Sequence, residues 1–196
     1  MIVGLTGGIG SGKSTVLKMF AKFENIAIYI ADDEAKKLMN SSSEIRQKLI
    51  SNFGREVYIK KELNKPYLAD IVFNNKQKLQ TLNAIVHPVV HLHFQKFIRK
   101  NTKKTYILYE NAILFENNST SFCNKIITVT APEHIRIKRV LKRDNTTIAS
   151  VKNRMKNQWQ ETKKIMQSHY IIENDKLIDT EKQIARIHNI LIKNIK

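Results

Sequence analysis

Short apolar runs alternate with amphipathic stretches along this chain. Period-two and fully apolar runs rich in β-branched residues predict five buried strands. These runs cover residues 2–6, 26–30, 105–109, 125–130 and 170–172. Stretches with helical spacing of apolar residues separate them, and a last one begins near Thr180. Strands separated by helices predict an α/β fold with a five-stranded parallel sheet flanked by helices.

The stretch between the second and third predicted strands is too long for an ordinary crossover. Residues 33–103 contain several helical stripes, and Pro88 is expected to kink or restart one of these helices. We interpret this block as an inserted helical domain that holds a second substrate. The remaining core would comprise residues 1–32, 104–135 and 161–196.

Glycine is concentrated near the start of the chain. Five of the six glycines lie between Gly4 and Gly12, and residues 7–15 match the pattern G-x-x-x-x-G-K-[ST]. A predicted strand precedes this segment and a helical apolar face follows it, which is the context of a phosphate-binding loop. The alternative is a glycine-rich turn that binds no ligand.

In such a loop, backbone N–H groups and the helix N-terminus surround an anion. Lys13 would reach the β- and γ-phosphates of a nucleotide, and the Ser14 hydroxyl would hold Mg²⁺. The pattern therefore predicts one set of ATP-binding residues. They are Gly10, Ser11, Gly12, Lys13, Ser14 and Thr15.

Half of the eight arginines lie close together in the second half of the chain, between Arg136 and Arg154. Arg136, Arg139 and Arg143 have the spacing of one helix face. Guanidinium groups suit phosphate oxygens well, so we interpret residues 136–160 as a lid that closes arginines over the transferred phosphate. The alternative is a solvated basic helix face.

Composition limits the function classes further. The 196 residues are 42% hydrophobic and 26% charged, which is typical of a globular domain, and the formal net charge is +17. A basic surface favours polyanions without choosing among them, and a lysine-rich, fully solvated surface is the alternative. The single cysteine excludes an intramolecular disulfide. No secretory signal or membrane span is expected, so we predict a cytoplasmic protein without a membrane partner.

A set of short motifs extends over nearly the whole chain. The motif residues are LTGGIGSGKST at 5–15, Ala31-Asp32, Phe53-Gly54, Leu63, Leu68 and Phe73, His87-Pro88, Leu114-Phe115-Glu116, Arg139 with Arg143-Asp144, Gln158, and Ile172 with Asn174. Together they resemble the motifs of the dephospho-CoA kinase family. Members of that family have a P-loop kinase core, a helical CoA-binding domain and a lid. The resemblance implies that ATP, with Mg²⁺, phosphorylates the ribose 3′-hydroxyl of dephospho-CoA to give coenzyme A and ADP.

The resemblance also implies roles for single residues. Asp32 would accept the hydroxyl proton, while Lys13, Arg139 and Arg143 would stabilise charge on the phosphoryl group. As an alternative, Asp32 could be the N-cap of a helix over 33–39, and His87 could be a buried structural residue. The residues expected to contact the substrate are Asp33, Lys65, His87 and Glu110.

The chain departs from the family pattern at a few positions. Ile30 replaces the first acid of Asp-Ala-Asp, Glu110 replaces an aspartate, and Lys65 replaces an arginine. Rival interpretations are a nucleoside monophosphate kinase, a nucleic-acid-binding protein, and a family member that binds CoA without phosphorylating it. The sequence has no zinc-finger spacing or RNP-like motif that would support nucleic-acid binding. We expect a monomer or a weak homo-oligomer whose partners are ATP and dephospho-CoA.

Overall fold

The computed structural model describes residues 1–73 and 75–193, without the side chain of Phe73. It divides into two compact units. The core unit comprises Met1–Tyr29 and Asn101–Lys196, and the helical unit comprises Ile30–Lys100. The interpretation of residues 33–103 as an inserted substrate domain stays a prediction.

Seven strands and nine helices are present in the described residues. The strands are β1 (Ile2–Thr6), β2 (Ile26–Ile30), β3 (Tyr58–Ile59), β4 (Glu62–Leu63), β5 (Tyr106–Glu110), β6 (Lys125–Thr130) and β7 (Tyr170–Glu173). The helices are α1 (Lys13–Phe20), α2 (Ala31–Ser41), α3 (Ser43–Phe53), α4 (Lys65–Phe73), α5 (Lys76–Lys100), α6 (Glu133–Asp144), α7 (Ile148–Lys156), α8 (Glu161–Met166) and α9 (Leu177–Lys193).

The five long strands form one sheet in the order β2-β5-β1-β6-β7. Strand β1 pairs in parallel with β5 and β6, and β6 pairs in parallel with β7. Val3 and Leu5 of β1 are fully buried. A central strand covered on both faces needs a continuous apolar run, which explains why the sequence pattern predicted these five strands correctly.

Helices α1 and α9 pack against each other in the core unit. Helix α9 buries Ile184, Ile187 and Leu191, which have the spacing of one helix face. His188 lies on the same side, where its ring stacks on Phe23 and its Nδ1 is 2.8 Å from the Tyr106 hydroxyl. This buried contact between His188 and Tyr106 therefore links α9 to β5 of the sheet.

The helical unit has its own hydrophobic core, in which α5 contacts α2, α3 and α4. The antiparallel pair β3–β4 also belongs to this unit. Its two-residue strands are too short to give a sequence signal. The most buried side chains of this core are Ile45, Leu49, Phe53, Val57, Tyr58, Leu68, Ile85 and Val86.

Helix α5 continues through Pro88, so the expected restart of the helix there is wrong. Proline removes one backbone donor and normally distorts a helix interior. Here Val86 before the proline and Val89 and Val90 after it pack on the same hydrophobic cluster. Packing on both sides therefore keeps the two halves in one helix.

None of the helices in the described part of the chain is long and apolar enough to cross a membrane.

Burial lowers the pKa of His188 below its ordinary value of 6.5. As the pH falls through this range, the His188 imidazole takes up a proton more readily in the unfolded chain than in the folded chain. The folded state therefore loses stability as the pH falls. We expect His188→Gln to reduce the loss of unfolding free energy between pH 7 and pH 5, measured by urea denaturation at each pH. His134→Gln, which removes an exposed histidine, is the matched control. An unchanged pH dependence in His188→Gln would contradict this explanation.

Candidate active site

Residues 7–12 connect β1 to α1, and Lys13, Ser14 and Thr15 form the first turn of α1, so the strand–loop–helix arrangement predicted from the motif is present. Gly10 and Gly12 have φ values of 80° and 90°, in the left-handed region that favours glycine. A Cβ atom at Gly12 would collide with the Asn174 amide nitrogen, and one at Gly10 with the Arg136 carbonyl oxygen. Both glycines are therefore required by conformation and by space.

The end of the loop is the positive end of a helix. Helix α1 begins at Lys13, and no acidic residue lies in its first turn. The Lys13 ammonium group donates to the Gly7 carbonyl oxygen at 2.9 Å, across the width of the loop. Ser14 is exposed, whereas Ser11 is fully buried with no hydrogen-bond partner for its hydroxyl in the described residues. This combination of backbone donors, dipole and ammonium group suits a phosphate group.

Two side chains hold the loop at Ile9. The Gln158 carbonyl oxygen Oε1 accepts from the Ile9 N–H at 2.9 Å, and Arg136 Nε donates to the Ile9 carbonyl at 3.0 Å. Arg136 is only 5% exposed, and its Nη1 lies 2.6 Å from Glu161 Oε2. The other oxygen of Glu161 accepts from the Thr130 hydroxyl at 2.5 Å. A buried ion pair thus fixes the guanidinium group against the loop.

Two further side chains hold the loop at Ser11. Asn174, which is 2% exposed, donates from Nδ2 to the Ser11 carbonyl at 2.8 Å. Arg139 donates to the same carbonyl at 3.4 Å and to the Asn174 carbonyl at 2.8 Å. The Thr180 hydroxyl donates to Asn174 Oδ1 at 3.2 Å and so fixes the orientation of the amide. Arg139 is therefore held at the loop, while its contact with the transferred phosphate stays a prediction.

The other two arginines of the predicted cluster have a different partner. Arg143 Nε lies 2.6 Å from Asp144 Oδ1, and Arg154 Nη1 lies 2.7 Å from Asp144 Oδ2. Their hydrogen bonds lower the pKa of Asp144 to about 2. The Arg143 side chain is 64% exposed. Its assignment to ATP stays a prediction, because in this structure its nearest charged group is Asp144.

Glu110 is buried at the carboxyl end of β5. The strand register pairs it with Leu5, just before the loop begins. The adjacent Asn111 is also buried, and its backbone N–H donates to the Leu5 carbonyl at 3.0 Å. The register thus brings Glu110 to the strand that leads into the loop, while its contact with substrate stays a prediction.

The acids predicted after the second strand lie in the first turn of α2, in the helical unit. Because α2 begins at Ala31 and Ile30 occupies the N-cap, the alternative role of Asp32 as the N-cap is wrong. Asp33 pairs with Lys36 at 3.1 Å, and Glu34 pairs with Lys37 at 2.7 Å. Asp32 is exposed and makes no ion pair among the described residues.

The helical unit also contains the other two residues predicted to contact substrate. Lys65 is exposed at the first position of α4. His87 is exposed in the middle of α5, so the alternative of a buried structural histidine is wrong. The unit therefore presents both side chains to solvent.

Four residues that hold the loop were not assigned to the site from sequence: Arg136, Gln158, Glu161 and Asn174. Arg136 was counted in the arginine cluster, and Gln158 and Asn174 are among the residues that carry the family resemblance. No sequence pattern indicated Glu161, because its role in holding the loop depends on tertiary contacts with Arg136 and Thr130.

We predict that Arg136→Met lowers the free energy of unfolding by about 3 kcal/mol, because it leaves a partly buried carboxylate without its cation. Urea denaturation measures the effect. Arg143→Met is the control, because the Arg143 side chain is 64% exposed and Asp144 keeps its second partner, Arg154. Equal losses in the two variants would show that the Arg136–Glu161 pair does not stabilise the loop region.

Comparisons with known proteins agree with this geometry. The model of the dephospho-CoA kinase family matches residues 1–180. A dephospho-CoA kinase from Fusobacterium nucleatum is 35% identical over 188 residues, covering 95% of this chain and 96% of that protein. A crystal structure from Thermus thermophilus has a TM-score of 0.87 at 25% identity and covers 97% of this chain and 96% of its own.

A dephospho-CoA kinase from Campylobacter jejuni has a TM-score of 0.72 at 23% identity, covering 100% of this chain and 98% of that one, and so shares the fold. The family match spans the loop, the helical unit and most of the core unit. The phosphate-binding loop and its supporting side chains thus occur in a chain that belongs to the dephospho-CoA kinase family.

Proposed function

We propose that this protein is an ATP-dependent kinase that phosphorylates the ribose 3′-hydroxyl of dephospho-CoA, giving coenzyme A and ADP in the last step of coenzyme A synthesis. The observation that carries the proposal is the loop from Gly7 to Thr15, with Lys13 at the head of α1, in a member of this family. Phosphoryl transfer requires mainly positioning and charge stabilisation from a protein, and both are features of this loop.

The loop residues would bind the phosphates of ATP. Their backbone N–H groups and the α1 dipole are fixed before the nucleotide arrives, so little reorganisation is needed. Lys13 is directed across the loop toward Gly7. Arg139 adds a second positive charge beside Ser11. We assign both cations to the charge that develops on the transferred phosphoryl group.

We assign the lid role to residues 136–160, which extend across α6 and α7. Arg143 would then exchange its exposed contact with Asp144 for a phosphate oxygen of ATP. Exposed ion pairs contribute little to stability, so breaking the Arg143–Asp144 contact would cost little free energy.

Asp32 is our candidate for the group that accepts the hydroxyl proton. It follows β2 directly, and it is the acid of this turn that has no lysine partner among the described residues. The 3′-oxygen would form its bond to the γ-phosphorus as the bond between that phosphorus and the β-phosphate oxygen breaks. The proton passes to the Asp32 carboxylate, and ADP leaves.

Dephospho-CoA would contact Asp33, Lys65, His87 and Glu110. Lys65 and His87 are exposed donors, suited to the pyrophosphate of the substrate. A cytoplasmic location is part of the proposal. It fits the single cysteine, Cys123, which has no second cysteine to pair with. Burial raises the pKa of its thiol to about 12.

The residues present fit Mg²⁺ in the ATP complex. No group of three or more His, Cys, Asp or Glu side chains that could hold a metal exists in the described part of the chain. Mg²⁺ bound to a nucleotide needs few protein ligands, because phosphates and water supply the others. The exposed Ser14 hydroxyl is the hard oxygen that would hold it. When bound, the ion neutralises charge on the β- and γ-phosphates.

The direct test of this function uses labelled ATP and a panel of acceptors, with the product position assigned by ³¹P NMR. We expect transfer to the 3′-hydroxyl of dephospho-CoA and none to AMP, which a nucleoside monophosphate kinase would phosphorylate. Transfer to AMP alone, or ATP hydrolysis without any acceptor, would contradict the proposal.

Lys13→Ala should lower kcat by about 1000-fold, because the ammonium group stabilises charge in the transition state. Steady-state kinetics with ATP and dephospho-CoA measure the effect. Lys18→Ala, at an exposed position on the same helix, is the control. A higher KM for ATP with an unchanged kcat would show that Lys13 only binds the nucleotide.

Asp32→Asn should lower kcat by at least about 100-fold while leaving the affinity for ATP nearly unchanged, since the amide cannot accept the proton. The control is Asp70→Asn, at an exposed position of α4. Single-turnover rates and ATP titration separate the two effects. Full activity of Asp32→Asn would remove Asp32 from the role of base.

A further inference from the structure

Side chains from other segments hold both polar backbone groups of Ile9, its N–H and its C=O. Its N–H donates to Gln158 and its C=O accepts from Arg136. Gly8 and Gly10 flank it, and Gly10 has a φ of 80°. A peptide segment between two glycines has many accessible conformations. The two contacts therefore decide which way the peptide groups on either side of Ile9 point.

This orientation matters for an anion. A carbonyl oxygen turned into the loop would repel a phosphate, because both carry negative charge. Arg136 keeps the Ile9 carbonyl directed at its own guanidinium group. Gln158 engages the Ile9 N–H, so the amides that face a phosphate belong to later residues of the loop.

Gln158 is itself held in place through its neighbour Trp159. The Trp159 N–H donates to Glu116 Oε1 at 2.8 Å. The indole stacks on Phe115 with ring centroids 5.5 Å apart, and the Lys163 ammonium group lies 3.6 Å from the indole centroid. Backbone and ring are thus both anchored, which leaves little freedom in where Gln158 can reach.

Glu116 has a buried cation beside it. Its Oε1 lies 2.8 Å from Lys164 Nζ, and the Lys164 side chain is 1% exposed. Burial alone would raise the pKa of Glu116, but Lys164 and the Trp159 N–H outweigh burial and hold the pKa below its ordinary value. The carboxylate is therefore charged, and the chain of contacts from Lys164 through Glu116 and Trp159 to Gln158 ends at the loop.

We propose that Gln158 is a positioning residue for nucleotide binding, which acts through the Ile9 N–H to hold the first half of the loop in its binding conformation. Its use in catalysis rests on the function proposed above. Because the loop contacts the phosphates before and during transfer, the contribution of Gln158 is to binding in the ground state and the transition state alike. Losing it raises KM for ATP and leaves kcat nearly unchanged.

The test compares Gln158→Met, which removes the acceptor oxygen, with Gln167→Met. Gln167 is exposed at the end of α8 and lies outside the segment assigned to the lid. We expect Gln158→Met to raise the Kd for ADP and the KM for ATP by about tenfold, the effect of a part-buried donor that loses its hydrogen bond. Both kcat and the KM for dephospho-CoA should stay within about twofold of the unmodified protein. Gln167→Met should change none of these values.

A second measurement follows the Ile9 amide itself. Hydrogen exchange at Ile9, read by NMR, should be faster in Gln158→Met than in the unmodified protein. Gln158→Glu keeps an acceptor oxygen and should restore slow exchange. This readout does not depend on how the added charge affects nucleotide binding.

Unchanged ADP affinity in Gln158→Met, an equal loss in Gln167→Met, a fall in kcat at unchanged ATP KM, or unchanged Ile9 exchange would each overturn the role of Gln158. These results are independent of the acceptor. If the unmodified protein does not phosphorylate dephospho-CoA, the proposed function fails, while ADP affinity and amide exchange still decide the role of Gln158.

Discussion

The structure of the core unit depends on restraint of a glycine-rich backbone by side chains outside it. Glycine allows the left-handed conformations of Gly10 and Gly12, but its freedom makes an ordered loop costly in entropy. Ile9 donates to Gln158 and accepts from Arg136, and the Ser11 carbonyl accepts from Asn174; these hydrogen bonds limit that freedom. The loop can then present its donors without rearrangement when an anion binds.

The sheet order explains how distant segments meet at this loop. Strand β6 lies beside β1 and β7 lies beside β6, so residues that follow these strands come close to the residues that follow β1. Asn174 follows β7, and its N–H donates to the Thr130 carbonyl at the end of β6. Thr130 also contacts Glu161, the partner of Arg136. The order of the strands therefore determines which side chains come close enough to hold the loop.

Most of the fold and part of the site could be predicted from the sequence. Buried parallel strands have continuous apolar runs, and the loop has a motif with fixed spacing, so local pattern was sufficient for both. The predicted restart of the helix at Pro88 is wrong, because side chains before and after the proline pack on one hydrophobic cluster and keep α5 continuous. The pairing of Glu161 with Arg136 depends on a tertiary contact between distant segments, which local spacing does not encode.

The central claim is that the loop from Gly7 to Thr15 is an anion site held ready by its surroundings. Its most direct test is a titration of the ¹⁵N-labelled protein with ADP and Mg²⁺, followed through backbone amide resonances. We expect large shifts at Gly12, Lys13 and Ser14, a small shift at Ile9, and ordered loop signals before ADP is added. Loop amides that do not respond to ADP, or that are ordered only after it binds, would contradict the account.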